Sequence, residues 1–269
     1  MTRILHLSDP HFGASDPRVA DAFLAYASAN RPDVTILSGD LTMRARRAEL
    51  TASLAFTQQL PTPLVVIPGN HDIPAFNHPF DRFFRPFRRY RSAFGNDLEP
   101  ELDLPGCHII SLNSTRAFGF HADWSQGFLS PVQLSHISGG FDKTSPEKLR
   151  VVVLHHPLLK TGEKGREVVR PVSLFFMALA AAKADLVLCG HFHRSHITAE
   201  DGATKWQPVI SQAPTVCSTR LQGEPQGFHE IHAGGDHMKI VHFSSQNGGF
   251  AVKQAFEFQK TEVGWAAAN

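Results

Sequence analysis

Six short apolar runs recur along the chain, and five of them end in a cluster of polar residues. The hydrophobicity inside each run is continuous rather than alternating, which is typical of strands that are covered on both faces. The runs occupy residues 4–7, 34–37, 64–67, 108–112, 151–154 and 186–189. Patterns with helical spacing lie between them, at residues 17–30 and 45–60. This alternation predicts a layered α/β core.

The pattern changes after about residue 200, where short β-like pieces are separated by Gly and Pro. These pieces occupy residues 204–210, 215–218, 227–233, 237–243 and 250–258. We expect mostly antiparallel strands here, completing a second sheet. The sequence contains no internal repeat and no long linker, so residues 1–269 are predicted to form a single domain.

Composition narrows the class of protein. An apolar fraction of 42% in 269 residues is enough to bury a sizeable core, and a net charge of +1 gives no global reason to expect nucleic acid or an anionic membrane as partner. Three distant cysteines form neither a disulfide framework nor a CxxC site, which suits a reducing compartment. The start lacks the features of a signal peptide, and the most apolar stretch, residues 174–188, is interrupted by Lys183 and Asp185. We expect a cytoplasmic protein without a transmembrane segment.

The polar clusters contain metal-binding residue types. They are Asp9-Pro10-His11, Gly39-Asp40, Gly69-Asn70-His71-Asp72, His155-His156-Pro157 and Gly190-His191-Phe192-His193. Ligands of open α/β sheets gather outside the carboxyl ends of the strands, so these clusters are expected at one rim. Carboxylate and imidazole donors without thiolate suit Mn, Fe or Zn and disfavour a structural zinc. The sequence therefore predicts a metal site at this rim.

The series of clusters resembles the signature of the calcineurin-like metallophosphoesterases: Asp-x-His, Gly-Asp, Gly-Asn-His-Asp or Glu, His, and Gly-His-x-His. The resemblance covers residues 9–193. It implies a four-layer α/β/β/α sandwich, with two mixed sheets flanked by helices and a dinuclear site of two divalent metal ions at the carboxyl ends of the strands. The implied ligands of one metal are Asp9, His11, Asp40 and His193. Those of the other are Asp40, Asn70, His155 and His191, so Asp40 bridges.

The resemblance also implies a reaction. A hydroxide bridging the two metal ions would attack the phosphorus atom of a phosphate ester. His71 would stand near the leaving oxygen as electrostatic stabiliser or proton donor, and Asp72 would orient its ring. The family pattern takes the histidine directly after the strand as ligand, so His155 is preferred to His156.

Substrate contacts are expected from five residues near the same rim. Arg44, Asn113, Arg116, His156 and His196 each follow or neighbour a cluster or a strand end. Each of them also fits an ordinary role as a solvent-exposed or structurally paired side chain.

The order of the motifs and the length resemble class III cyclic-nucleotide phosphodiesterases, which implies a small phosphodiester as substrate, such as a 3′,5′-cyclic nucleotide. A nuclease of the DNA-repair exonuclease type is the alternative, although the near-neutral charge disfavours nucleic acid. An esterase acting on phospholipids or glycerophospho compounds is another. A lipid A pathway pyrophosphatase would have Arg in place of His71, and non-catalytic scaffolds of this fold, such as the retromer subunit, have lost metal ligands. The oligomeric state stays open, with a homo-oligomer as one outcome.

Residues 80–94 mix five arginines with six aromatic residues. Helical spacing of Phe83, Phe87, Tyr90 and Phe94 predicts a surface helix with a buried aromatic stripe, kinked or divided at Pro86. A cap over the active site, a dimer interface and a lipid-facing patch are the alternatives. Arg82, Arg85 and Arg89 are expected on another side of this helix.

Two further groups of residues are predicted to be structural. Arg44, Arg46 and Arg47 are expected to flank a helix and to pair with Glu49. The late histidines are expected to be buried for structural reasons or exposed, because none has ligand spacing to a strand end; they are His229, His232, His237 and His242.

Overall fold

A computed structural model describes residues 1–117, 126–160, 168–199 and 204–268. In these ranges the chain forms thirteen strands: β1 (Thr2–Leu7), β2 (Val34–Leu37), β3 (Leu64–Val66), β4 (Glu101–Asp103), β5 (Cys107–Leu112), β6 (Leu149–Leu154), β7 (Leu186–Cys189), β8 (His196–Thr198), β9 (Val209–Gln212), β10 (Gly227–Gly234), β11 (His237–Gln246), β12 (Gly249–Thr261) and β13 (Gly264–Ala267). The α-helices of the same ranges are α1 (Pro17–Ala29), α2 (Arg47–Thr57), α3 (Pro79–Phe84), α4 (Arg88–Phe94), α5 (Pro131–Gly140) and α6 (Val172–Ala181). All six apolar runs are therefore strands.

The strands form two mixed sheets. The first has the order β13-β12-β11-β10-β1-β2-β3, in which β1, β2 and β3 are parallel and the late strands are antiparallel. The second has the order β4-β5-β6-β7-β9-β8, with parallel central strands and an antiparallel strand at each edge. Parallel neighbours align their carboxyl ends, which determines where the polar clusters lie.

Alternate residues of the central strands enter different layers. In β6, Val151 and Val153 pack between the two sheets, whereas Val152 and Leu154 pack beneath α5 and α6. On the far side of the first sheet, Phe23 of α1 lies in a third buried cluster with Phe56 of α2. Three apolar layers between four layers of secondary structure confirm the predicted α/β/β/α sandwich. None of the described helices has the length and apolarity required for a membrane span.

The first two helices lie where the spacing predicted them. Asp16 caps α1, because its side chain accepts a hydrogen bond from the N–H of Arg18 at 2.9 Å, and Pro17 occupies the first turn. The second helix is shorter than the predicted 45–60 and begins at Arg47. Glu49 accounts for this start: its carboxylate accepts hydrogen bonds from the N–H groups of Arg44 and Arg46 and lies 3.8 Å from the Nε of Arg46.

The prediction that the late strands complete a second sheet is wrong. Strands β10 to β13 extend the first sheet, where Ile231 of β10 pairs with Ile4 of β1, and the second sheet is built from residues 101–212. The open edge of β1 explains this choice, because β2 covers only one side and pairing with β10 satisfies the other. Residues 215–218 make only isolated bridges, and the strand predicted at 204–210 begins at Val209.

The single aromatic stripe predicted for residues 80–94 is also wrong. Pro86 separates α3 from α4, so the helical phase does not run through the segment. Tyr90 is buried, but Phe83 is 44% exposed. Arg82, expected on the outside, is buried and donates a hydrogen bond from Nη1 to the carbonyl oxygen of Pro74 at 2.7 Å.

Candidate metal centre

The carboxyl ends of five strands deliver the seven predicted ligands to one buried location. In the first sheet, β1 precedes Asp9 and His11, β2 precedes Asp40, and β3 precedes Asn70. Strands β6 and β7 of the second sheet precede the three remaining histidines, His155, His191 and His193. Each of the seven residues is at most 8% exposed. The centre therefore lies where the ends of the two sheets meet.

The backbone at this location is unusual. Five of the seven residues adopt left-handed conformations with positive φ: Asp9 (53°), His11 (47°), Asp40 (52°), His191 (76°) and His193 (57°). Side-chain-bearing residues rarely adopt such conformations, which concentrate at functional sites because surrounding contacts must hold them. Gly39 shows how closely the loops approach: a Cβ atom there would lie 2.7 Å from the ring Nδ1 of His155.

One group of donors consists of Asp9, His11, Asp40 and His193. The Nε2 atoms of His11 and His193 are 2.9 Å apart, and His193 Nε2 lies 3.3 Å from Asp9 Oδ1. Asp40 Oδ2 lies 3.5 Å from His11 Nε2. Donors held about 2.1 Å from one cation are roughly 3.0 to 3.4 Å apart, so these separations suit a single ion.

A second group shares Asp40 with the first. Asp40 Oδ2 lies 3.3 Å from the Nε2 of His155, which is also 3.2 Å from Asn70 Oδ1 and 3.2 Å from His191 Nδ1. The shared carboxylate places the two groups side by side. These distances also suit one cation, and they support His155 as the histidine that faces it.

The outer nitrogens of three histidines determine which ring atoms face inward. In each of them, Nδ1 lies against a backbone carbonyl oxygen. The distance is 3.3 Å from His11 to Thr42, 2.9 Å from His155 to Ser38 and 2.7 Å from His193 to Arg220. A carbonyl oxygen only accepts, so each Nδ1 carries a proton; in the neutral ring, which is the form that binds a metal ion, Nε2 then turns a lone pair inward. Asp9 Oδ1 is also buried and accepts no hydrogen bond from the described residues. Inward lone pairs 2.9 Å apart repel unless a cation lies between them, so these residues fit divalent metal ions.

The electrostatics of the cluster favour ionised carboxylates and neutral rings of His11 and His191. Burial opposes ionisation of Asp9 and Asp40, but His193 and His11 beside Asp9, and His155 beside Asp40, hold the pKa of each carboxyl group well below its usual value. Burial lowers the pKa of His11 to about 4 and the pKa of His191 well below its ordinary value. Burial alone would lower the pKa of His155, but the neighbouring Asp40 raises it to about 9. A metal ion bound at this histidine would therefore have to displace its second proton.

His71 stands beside the first group of donors without belonging to the seven. Its ring lies 4.8 Å from that of His11, and its backbone N–H donates a hydrogen bond to Asp40 Oδ1 at 2.8 Å. The expectation that Asp72 orients this ring is wrong, because His71 Nδ1 lies 2.8 Å from the carbonyl oxygen of Met43. Asp72 instead accepts hydrogen bonds from the N–H groups of Leu41, Thr42 and Gly69, which joins two ligand-bearing loops. Burial and the neighbouring Asp40 raise the pKa of Asp72 to about 7.

A pocket of about 300 Å³ opens beside His71. Three arginines line it, and we call it the arginine pocket; its walls are Met43, Arg44, Asn70, His71, Ile73, Ala75, Arg82 and Arg220. Arg220 also contributes to the centre itself: its Nη1 lies 3.4 Å from His71 Nε2, and its carbonyl oxygen faces His193. Sequence reasoning missed Arg220, which belongs to no motif and reaches the centre from a loop before β10. Arg82 was missed as well, because the helical pattern placed it on the outside.

The five residues predicted to contact the substrate do not lie together in one place. Arg44 lines the arginine pocket, and the buried His156 packs against His191 with its Nδ1 2.8 Å from Ser114 Oγ. Arg116 is stacked over the ring of Phe128 at 4.8 Å. Asn113 accepts a hydrogen bond from the N–H of Thr115, and His196 begins the edge strand β8.

A two-sheet α/β sandwich with a buried carboxylate and imidazole centre at its strand ends is the architecture of a metallophosphoesterase. The family model for calcineurin-like phosphoesterase matches residues 2–195, and the chain belongs to this family. The protein is therefore an enzyme that hydrolyses phosphoesters, and members of the family bind divalent metal ions.

Relatives with curated names are distant. Glycerophosphodiester phosphodiesterase GpdQ of Enterobacter lignolyticus is 24% identical over 222 residues, which are 75% of this chain and 74% of the relative. A probable cyclic nucleotide phosphodiesterase of Ruthia magnifica subsp. Calyptogena magnifica is 25% identical over 166 residues, covering 61% of this chain and 63% of the relative. Among solved structures, purple acid phosphatase PPD1 of yellow lupin has a TM-score of 0.68 at 12% identity, over 95% of this chain and 53% of that one. This likeness concerns the fold alone.

Proposed function

We propose that the protein hydrolyses small phosphodiesters at a centre of two divalent metal ions. One ion would be held by Asp9, His11, Asp40 and His193, and the other by Asp40, Asn70, His155 and His191. The observation that carries the proposal is the set of inward Nε2 lone pairs fixed by three carbonyl oxygens around the shared carboxylate of Asp40.

When bound, the two ions, Mn, Fe or Zn, would activate a water molecule as nucleophile and offset the charge of the phosphate. The residues of the chain would do the rest. Asp40 would hold both halves of the centre together, and its Oδ1 also fixes the backbone of His71. The Nδ1 proton of His71 is directed at Met43, so Nε2 is the atom that faces the leaving oxygen; when Nε2 carries a second proton, it would stabilise that oxygen or protonate it. Asp72 would act by holding the loops of Asp40 and Asn70 in register.

The substrate class is inferred from the names of the relatives and from the pocket. The relatives are named for glycerophosphodiesters and cyclic nucleotides, and both are phosphodiesters. A pocket of about 300 Å³ beside His71 has room for one substituent of a small diester. We therefore place small phosphodiesters, including 3′,5′-cyclic nucleotides, before nucleic acids and phospholipids as substrates.

Metal reconstitution tests this proposal. Protein stripped with a chelator is expected to lose hydrolysis of bis-p-nitrophenyl phosphate and to regain it with Mn, Fe or Zn, at two bound ions per chain by elemental analysis. Rates on cyclic nucleotides, glycerophosphodiesters, single-stranded DNA and nucleotide monoesters then rank the substrates. A protein that binds two ions and cleaves none of these esters would refute the proposal and support a scaffold function. Monoesters cleaved faster than every diester would refute the substrate class.

Replacing Asn70 with alanine is expected to lower kcat about 10²-fold and to weaken binding of one of the two ions. The amide oxygen lies 3.2 Å from His155 Nε2, where it would be one of the donors to the ion that His155 and His191 share. Titration of the stripped variant with Mn²⁺, read out by bound metal and by turnover, checks both effects. Asn96→Ala is the control, because Asn96 lies beyond α4 and away from the centre. Wild-type turnover with full occupancy in Asn70→Ala would refute the role of Asn70 as ligand.

A further inference from the structure

We propose that the arginine pocket binds a second phosphate group of the substrate. The preferred diesters would then carry a phosphomonoester on the substituent that lies next to His71. This inference rests on the proposed diesterase function and adds a specificity to it. The pocket, rather than the metal centre, would distinguish one diester from another.

The position of the pocket makes its occupant part of the substrate. Asn70 and His71 line the pocket, and the same two residues contact the centre: Asn70 Oδ1 faces His155 Nε2 at 3.2 Å, and the N–H of His71 is bonded to Asp40. The pocket therefore begins where the reacting phosphate would be held and extends away from it on the side of His71. A group bound there would be joined to the reacting phosphorus through one substituent of the diester.

The walls of the pocket carry excess positive charge. Besides Arg44, Arg82 and Arg220, they consist of neutral side chains such as Met43, Ile73 and Ala75. Guanidinium groups remain protonated at every pH relevant to an enzyme, so the positive charge is permanent. A cationic substituent such as choline would be repelled there, whereas a phosphate would be attracted.

Nearby carboxylates do not neutralise two of these arginines. In the part of the chain that the structure describes, neither Arg44 nor Arg220 forms an ion pair with Asp or Glu. Glu49 is engaged by the backbone of Arg44 and by Arg46, and Asp81 is engaged by Arg88 and Arg89.

The chemistry of these arginines matches a phosphate in particular. The Nη1 atom of Arg220 lies 3.7 Å from Met43 Sδ and 3.4 Å from His71 Nε2, so the guanidinium group is held at the entrance on the side of the reaction. Arginine binds phosphate through two parallel charge-assisted hydrogen bonds, which a neutral hydroxyl group cannot reproduce.

Three dinucleotides that share the same scissile diester test the inference: ApA, pApA with a 5′-phosphate and ApAp with a 3′-phosphate. With the metal-loaded wild type, one of the two phosphorylated forms is expected to exceed ApA in kcat/KM on the order of tenfold, the effect of one added charge-assisted contact. In Arg44→Gln this ratio is expected to fall towards one. Binding of the same dinucleotides by calorimetry should show the same ratio, and it gives a readout that does not require turnover.

Arg47→Gln is the matched control, because Arg47 is exposed, lies three residues further along the chain and lines a separate groove with Arg88 and Arg89. It removes the same charge but should keep the wild-type ratio. Equal kcat/KM and equal affinity for all three dinucleotides would overturn the inference, as would an equal loss of selectivity in Arg44→Gln and Arg47→Gln. Hydrolysis of bis-p-nitrophenyl phosphate reports separately on the proposed diesterase function.

Discussion

Asp40→Asn is expected to lower kcat for phosphodiester hydrolysis by on the order of 10³-fold or more while leaving the protein folded. Asp40 is the carboxylate that both donor groups share, since its Oδ2 lies 3.5 Å from His11 Nε2 and 3.3 Å from His155 Nε2. Removing its charge therefore weakens both cation positions together. Metal content per chain should fall in parallel with turnover.

Asparagine is the replacement that separates charge from shape. Its side-chain oxygen can still accept the hydrogen bond that Asp40 Oδ1 takes from the N–H of His71. Asparagine also tolerates the left-handed backbone at this position, where φ is 52°. Loss of activity with an unchanged circular dichroism spectrum would then report on the carboxylate charge.

The control for this change is Asp16→Asn, which makes the same substitution at the N-cap of α1. Asparagine caps helices as well as aspartate does, so activity and stability should both stay near wild type. If Asp40→Asn retained two bound ions and turned over within tenfold of wild type, the proposed bridging role would be refuted.

The parts of this molecule that were predictable from sequence depend on local patterns. The continuous hydrophobic runs identified six strands, because side chains buried on both faces leave a signal within four to six residues. The residues after those strands were brought together because parallel strands align their carboxyl ends. For this reason the polar clusters could be placed at one rim from the sequence, and the resemblance to the calcineurin-like family implied which seven of their residues are ligands.

The parts that could not be predicted depend on contacts between distant residues. Whether β10 pairs with β1 or with a strand of the other sheet is decided by which edge is open, and residues 227–234 do not encode that. Arg220 reaches His71 across 149 positions of sequence without a motif. Asp72 looked like a partner of His71 because the two are adjacent, yet its hydrogen bonds run to Leu41 and Thr42.

The prediction that the late histidines are structural has a clear basis in the first sheet. His6, His229 and His242 occupy facing positions on β1, β10 and β11, and all three are buried. Their rings are neighbours, with centroids 6.1 Å apart for His6 and His229 and 5.3 Å apart for His229 and His242. We call this row the histidine ladder. Serine hydroxyl groups form hydrogen bonds with both ring nitrogens of His229, the central member of the ladder. Its Nε2 lies 2.8 Å from Ser195 Oγ, and its Nδ1 lies 2.8 Å from Ser211 Oγ.

The histidine ladder should make the fold sensitive to acid. Burial lowers the pKa of His6 to about 3 and the pKa of His242 to about 4. Burial, followed by repulsion from His242 and His6, lowers the pKa of His229 well below its ordinary value. The unfolded chain takes up these protons near pH 6.5, whereas the folded protein does not, so the free energy of unfolding falls as the pH drops below about 6.5. Between pH 6.5 and pH 5.0, His6 and His229 together should lower the free energy of unfolding by about 3 kcal/mol.

Urea unfolding between pH 5.0 and 7.5 measures this effect, and His229→Asn isolates one member of the ladder. Between pH 6.5 and 5.0 the free energy of unfolding of the variant should fall less steeply than that of wild type, by about 1 kcal/mol per pH unit, because one proton fewer is taken up on unfolding. His237→Asn is the control, since His237 is partly exposed and faces the carboxylate of Glu257 at 3.6 Å. At a fixed metal concentration the histidines of the metal centre contribute equally to all three proteins, so the difference in slope belongs to the substituted residue. Identical slopes for wild type and His229→Asn would mean that His229 gains its proton in the folded state, and the neutral ladder would be wrong.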